Sequence, residues 1–249
     1  MRYRSRVAYH GANYKGWQIQ PKEKTVQGEL ENALSRITQQ EVRVHASGRT
    51  DTGVHAKAQM IHFDLINCEI PDKNLQAAIN SYTAKDIAIY ELEQCDESFH
   101  ARYSEHQKTY HYHFDLNNPA DPLNLDRKYA ISYQKLEFNL MRAFINELQG
   151  THDFASFCSI HNSSDTTIRT IPQAHISEID SNNHFFLSIT GKGFLQHMVR
   201  IIAGTMIEIG AKKIELQLAK DALKKPDMRE QLGKTLPGHG LCLESILYL

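Results

Sequence analysis

Hydrophobic and polar positions change their period several times along the chain, and each change marks an element. From Arg2 to His10 they alternate: Tyr3, Ser5, Val7 and Tyr9 share one face, and Arg2, Arg4, Arg6 and Ala8 share the other. A period of two with one apolar face predicts a half-exposed strand. The polar, glycine-containing stretch Gly11 to Lys24 reads as a loop, and it holds Trp17, the only tryptophan of the chain. The plainest use of that ring is to anchor the loop on the core. At Thr25 the period becomes helical, with Thr25 as cap and Val26, Leu30, Leu34 and Ile37 as the apolar stripe. Strands are predicted over Val42 to Ala46 and Lys57 to Leu65. Asp72 then caps a helix through Leu75, Ile79 and Tyr82, and a strand runs from Ile87 to about Gln94. The order is β-α-β-β-α-β.

That order begins again further on. Thr109 to Leu116 is a strand, a Pro-containing loop crosses Asn117 to Leu125, and a helix shows Leu136, Leu140, Phe144 and Leu148. Two strands follow, about Thr167 to Ile179 and His184 to Thr190. The helix Leu195 to Ile209, a short one near Glu215 to Leu223, and a closing strand Leu241 to Tyr248 complete the chain. No sequence repeat accompanies this repetition of elements. Each set has ferredoxin-like connectivity. An antiparallel sheet needs cover on one face, which segregated helices supply. The expected fold class is therefore α+β: two ferredoxin-like (βαββαβ) halves, residues 1–104 and 105–249. They would share an extended, mainly antiparallel sheet with helices on one side and a central active-site cleft.

Composition narrows the class. With 249 residues, 41% hydrophobic and 23% charged, the chain can build real cores. No apolar run reaches the ~18 residues of a membrane helix, and the first six residues lack the apolar region of a signal peptide. Cys68, Cys95, Cys158 and Cys242 are widely spaced, which suits reduced thiols better than a disulfide frame or a zinc site. Both features point to a cytoplasmic protein without a membrane contact. Net charge is −1, but residues 1–66 carry ten Lys+Arg against six Asp+Glu, while residues 67–106 carry three against eight. A basic face can exist on a near-neutral molecule.

Candidate chemistry concentrates in the stretch Ala46 to Ala56, between two predicted strands. A turn needs a glycine and one or two polar residues. This one places Arg49, Thr50, Asp51 and Thr52 between Gly48 and Gly53. The glycines permit positive φ, so the segment can fold tightly and push Asp51 outward. Asp-Thr-Gly alone is also the aspartic-protease triplet, but no second triplet exists. In Lys108 to Phe114, Tyr110, Tyr112 and Phe114 share one face and His111 and His113 the other. Two His at i, i+2 can ligate a metal. No H-E-x-x-H, Cys/His cluster or evident third ligand accompanies them, so no metal is expected. Gly191 to Arg200 leads from a strand into a helix that buries Leu195, Val199, Ile202 and Met206. Arg200 lies near the border of that face, where a long cation snorkels to solvent.

Taken whole, Ser47-Gly48-Arg49-Thr50-Asp51-Thr52-Gly53-Val54-His55 closely resembles the catalytic motif of the TruA family of tRNA pseudouridine synthases, (A/S)-G-R-T-D-(A/K)-G-V-H. Other segments resemble the same family in the same order. The loop through Trp17-Gln18 is similar to Y-D-G-x-x-(Y/F)-x-G-W-Q, with His10 where Asp is usual. Phe99 to Arg102 is similar to F-(D/H)-A-R, and Lys108 to Tyr112 to (R/K)-x-Y-x-Y. Gly193 to Arg200 is similar to (A/G)-F-L-x-x-M-(V/I)-R, and Leu236 to Leu241 to A-P-x-x-G-L, with Leu for Ala. The resemblance spans residue 7 to about 247. Thr52 also departs from the common pattern and, beside Asp51, can alter details of a pocket.

The resemblance implies an isomerase that turns uridine into pseudouridine at tRNA positions 38, 39 and 40, without cofactor or metal. It makes Asp51 the catalytic carboxylate, acting as nucleophile or as a base at the sugar. Tyr110 would stack on the flipped uracil and relay the C5 proton, and Arg200 would pair with Asp51. Arg49 would meet phosphate or fill the vacated stack, while Lys192, Gly240 and Leu241 complete the substrate-binding set. The target base must leave its stack. A homodimer reaching both the elbow and the anticodon arm of tRNA is implied as well. The rival reading is a non-catalytic RNA-binding module on the same fold. Asp51, Tyr110 and Arg200 occurring together favour the enzyme.

Overall fold

The alternation of the first residues becomes β1 (Arg2–Tyr9), with Tyr3, Ser5, Val7 and Tyr9 buried and their neighbours half-exposed. The structure is a computed structural model that describes residues 1–133, 135–160 and 164–249. It divides into two compact units, Met1–His106 with Leu243–Leu249, and Gln107–Cys242.

In the first unit β1 is followed by α1 (Val26–Thr38), β2 (His45–Ala46), β3 (His55–Asp64), α2 (Asp72–Tyr82) and β4 (Ile87–Cys95). β1 pairs antiparallel with β3, setting Tyr3 opposite Phe63, Ser5 opposite Ile61 and Val7 opposite Gln59. On its other side it pairs antiparallel with β4. The strand order is β4-β1-β3, with β2 also on β3. Thr25 caps α1, its hydroxyl accepting from the Gly28 N–H at 3.3 Å. The buried stripe is Val26, Leu30, Ala33 and Leu34.

Two boundaries and one turn glycine here differ from expectation. Of the predicted strand Val42 to Ala46 only two residues pair, although Val42 and Val44 are buried as the alternation requires. The side chains of α1 take the backbone groups of Val44 instead. Its N–H donates to Glu31 Oε1 at 2.9 Å, and its carbonyl accepts from Gln27 Nε2 at 3.0 Å. Asp72 is the first residue of α2 rather than its cap, which is Pro71. A carboxylate in the first turn still favours the helix through its dipole. Gly53 has positive φ, but Gly48 does not.

The second unit runs β5 (His106–Asp115), β6 (Tyr129–Ala130), α3 (Phe138–Glu147), β7 (Gly150–Asp153), β8 (Ile168–Ile171), β9 (Gln173–Ile176), β10 (His184–Gly191), α4 (Met198–Gly210) and α5 (Leu216–Asp221). Its sheet has the order β5-β10-β9, all antiparallel, with β6 added in parallel to β5. The strand expected over Thr167 to Ile179 is split at Pro172, which has no N–H to give a ladder. β8 pairs with β7, and β9 with β10. α3 buries Met141, Phe144 and Ile145, with Leu148 just beyond; Phe144 and Leu148 are the expected ones, whereas Leu136 and Leu140 are only half-buried. α4 starts three residues later than expected because His197 is left-handed, φ 64°. The final strand, β11 (Leu241–Tyr248), is a neighbour of β3.

Each unit thus combines a sheet with helices, and the fold class is mixed α+β. Among the described residues no helix is long and apolar enough to cross a membrane. None of the four cysteines forms a disulfide.

Candidate active site

Asp51 sits on a loop whose every flank is fastened. Its carbonyl accepts from the Val54 N–H at 3.1 Å, closing a four-residue turn with Gly53 third at φ 78°. A turn with that position left-handed requires glycine there. Before it, the Ser47 hydroxyl donates to Gln59 Oε1 at 2.6 Å, and Gln59 Nε2 donates to the Gly48 carbonyl at 2.9 Å. Gln59 is fully buried on β3. The Thr50 hydroxyl meets the Tyr9 hydroxyl at 2.8 Å in the interior.

The Gly11 to Lys24 loop supplies the rest. Trp17 N–H donates to the Thr50 carbonyl at 3.1 Å, and Gly53 N–H donates to the Tyr14 carbonyl at 3.4 Å. Gly16, φ 86°, lies so close that a β-carbon there would stand 2.6 Å from the Thr50 oxygen. The Gly11 N–H donates to His55 Nδ1 at 3.0 Å. Trp17 is buried, 6.0 Å from the Tyr9 ring between centroids, and so anchors its loop as expected. Tyr14 is tied down by its hydroxyl, which donates to Asp86. Burial and that carboxylate raise the Tyr14 phenol above its ordinary range. Asp51 is half-buried, and Arg49, two residues earlier, is exposed.

The other sequence candidates belong to the second unit. Tyr110 lies on β5 opposite Ile189 of β10, 8% exposed, with its ring edge-to-face with Phe194 at 5.3 Å. Tyr112 and Phe114 share its buried face. His111 and His113 are half-buried and pack on Phe186, at 4.2 and 5.7 Å between ring centroids. Lys192 is exposed after β10. Arg200, in the first turn of α4, is half-buried; its Nε–H donates to the Leu236 carbonyl at 2.7 Å, and the Leu236 N–H returns to the Arg200 carbonyl at 3.3 Å. It therefore grips the Leu236–Leu241 segment rather than simply snorkelling. In that segment the Tyr112 hydroxyl donates to the Pro237 carbonyl at 2.8 Å, and Gly240 lies against the Tyr112 ring, where a β-carbon would come within 2.5 Å. Leu241 is buried at the start of β11.

One grouping had no signal in the sequence. A cavity of about 380 Å³ in the first unit is lined by Arg43, Arg49, Arg102, His45, His100 and Tyr103, with Gly48 in its wall. Behind it His62, buried on β3, stacks on His45 at 4.8 Å and meets His100 edge-on at 4.4 Å. Burial, then the neighbouring His100 and His45, push His62 down to about 4, so it is neutral at pH 7. Burial also lowers His100. Alternation put His45 and His62 on strands, but register and the return of Phe99–Arg102 bring the three rings together.

This fold and these loops are those of a pseudouridine synthase, and the chain is an isomerase. The family description tRNA pseudouridine synthase matches residues 6–104 and 144–248, and the chain belongs to that family. It is 38% identical over 250 residues to tRNA pseudouridine synthase A of Streptococcus mutans, across 100% of this chain and 99% of the relative. The protein of that name from Bacillus velezensis is 41% identical over 250 residues, with the same coverage. The one from Halalkalibacterium halodurans is 42% identical over 237 residues, 95% of this chain and 88% of the relative. Asp51 and Arg200 fall within the matched residues, and Tyr110 falls between them.

Proposed function

We propose that the chain converts uridine to pseudouridine in tRNA, at positions 38, 39 and 40 of the anticodon stem-loop, with Asp51 as the catalytic carboxylate. The observation that carries this is the fastening of the Asp51 loop by backbone bonds from Trp17, Tyr14 and Val54. A carboxylate that must meet one sugar carbon gains most from a backbone that does not wander.

The reaction breaks the N1–C1′ bond, turns the detached uracil, and joins C5 to C1′. The C5 proton leaves and the released N1 takes one up, so nothing is oxidised and no group is lost. Such a step needs no cofactor. Asp51 acts at the sugar or base, as nucleophile or as proton acceptor. Tyr110 stacks on the flipped uracil and relays the C5 proton, and Arg200 is the cation that keeps the catalytic carboxylate ionised. Arg49 and Lys192 meet RNA, and Gly240 and Leu241 shape the pocket wall. The target base is drawn from its stack, as base-modifying enzymes require. A homodimer in the cytoplasm, holding the anticodon arm and elbow of one tRNA, completes the reading.

The test is incubation with unmodified tRNA carrying uridines at those positions, followed by mapping of pseudouridine. Conversion at 38, 39 or 40 is expected. Tight tRNA binding without conversion at any position would instead make the chain a non-catalytic RNA-binding module.

A further inference from the structure

The cavity rimmed by Arg43, Arg49 and Arg102 has no part in the bond changes above, yet its chemistry is that of an oxyanion site. Arg49 and Arg102 form no ion pair among the described residues, and Arg43 reaches Glu31 only at 3.4 Å, on the surface. Three guanidiniums held around one concavity repel one another unless an anion joins them. Gly48 and Arg49 form part of its wall, three and two residues before Asp51.

The three histidines decide between an anion and a cation. His45, His62 and His100 hold ring nitrogens within 4.8 Å of one another, the spacing of a metal triad. The lone pairs are already engaged. His62 Nδ1 accepts from the Ala101 N–H at 3.1 Å. His100 Nδ1 accepts from the N–H groups of Arg102 and Tyr103, at 3.1 and 3.3 Å. A neutral imidazole that accepts at Nδ1 carries its proton on Nε2. Both rings therefore present an N–H donor where a metal needs a lone pair. Beside His100 the Tyr103 ring, 74% exposed and 4.3 Å away, offers a face to a nucleoside.

We propose that this cavity is an RNA subsite that holds a backbone phosphate of the strand carrying the target uridine. The guanidiniums of Arg43, Arg49 and Arg102 and the Nε2–H of His100 are its donors, and Tyr103 stacks on the adjoining nucleoside. The inference rests on the reading of the chain as a tRNA-modifying isomerase. Its use is to fix the strand beside the Asp51 loop, so it contributes to binding and leaves the bond changes alone.

The experiment compares Asp51→Asn with a protein that also carries Arg43→Gln and Arg102→Gln, titrated with unmodified tRNA over a range of salt. Losing the site should weaken binding at least tenfold at about 0.1 M salt. The slope of log K against log salt should become less steep by about 1. With Asp51 restored, the Arg43→Gln, Arg102→Gln protein should show a raised KM and a kcat within about threefold of the parent. Unchanged affinity and slope would overturn the proposal. So would weakened binding with an unchanged slope, since that reports a shape change rather than a lost phosphate. Inorganic phosphate that binds the parent but not the double variant, with tRNA indifferent to the substitutions, would mark a free-anion site and overturn it too. A zinc titration of the parent that saturates tightly and is lost in His45→Gln would make the cluster a metal site. A parent that binds tRNA with the expected slope yet forms no pseudouridine refutes the reaction and leaves the subsite standing.

Discussion

At the residue scale, Arg200 shows how a single group is tied into the unit that carries it. Its Nε–H donates to the Leu236 carbonyl at 2.7 Å, which holds the plane of the guanidinium. Arg200→Lys keeps the charge but lacks both the Nε–H and the planar fork. A charge-assisted hydrogen bond contributes about 1.5–3 kcal/mol, so turnover should fall roughly 10- to 100-fold. Asp51→Asn should abolish turnover while tRNA binding stays within a few-fold. Release of label from C5 of the target uridine measures turnover in both variants, and near-normal turnover by Asp51→Asn would remove the central claim. His62 gives a pH prediction. Its folded value, about 4, lies below the ordinary value of 6.5. Below pH 6.5 the unfolded chain takes up a proton there that the folded chain refuses until near pH 4. The unfolded state thus binds more protons, and stability falls as pH drops through that window. His62→Gln should flatten this part of the Tm–pH profile, and a profile identical to the parent would show that His62 contributes nothing.

At the scale of elements, two loops rather than one make the candidate site. The 47–54 loop was legible because its residue types exceed what a turn needs. Its partner, Gly11 to Lys24, was legible as a loop with an anchoring tryptophan and as a family motif, but not as a clasp on the Asp51 turn. That Trp17 and Tyr14 bind the Asp51 segment through backbone groups leaves no mark on side-chain chemistry, and so no pattern reports it. Gly16→Ala tests the pairing. The new β-carbon would meet a backbone oxygen at 2.6 Å, in a left-handed conformation that alanine resists. A cost of about 1–3 kcal/mol is expected, seen as a lower denaturant midpoint. Activity should drop further than the unfolded fraction explains, because Thr50 and Asp51 are displaced. Loss of stability with full specific activity would show that the loops are independent. The strands tell a similar story. Val42 and Val44 are buried as a period of two requires, but Gln27 and Glu31 of α1, four residues apart on one face, took the backbone hydrogen bonds of Val44.

At the scale of the whole molecule, neither the overall charge nor the histidine count describes what the surface does. Net charge is −1 with 14 His, yet the first unit gathers three Arg and two His around one cavity. A redox-neutral isomerisation needs no metal, and the Nδ1 atoms of His62 and His100 are occupied by backbone N–H groups. Activity should therefore survive exhaustive chelation unchanged. Loss on chelation that one particular metal restores would contradict both the reaction and the assignment of those tautomers.

The amino-acid sequence by itself determined the α+β class, the order of the main elements, and the position of Asp51 on a glycine-flanked turn. Each of these is written locally, in period, capping and turn chemistry. The family, too, was legible, because its motifs are short and contiguous. Only the tertiary structure decided that Met141 and Ile145 join Phe144 and Leu148 on the buried face of α3, where Pro172 divides a strand, and which backbone carbonyls the Trp17 loop and Arg200 hold. It alone brought Arg43, His45, His62, His100 and Arg102 together from three separate segments. Those contacts join residues tens of positions apart, and they follow from strand register and chain return, which no local pattern contains.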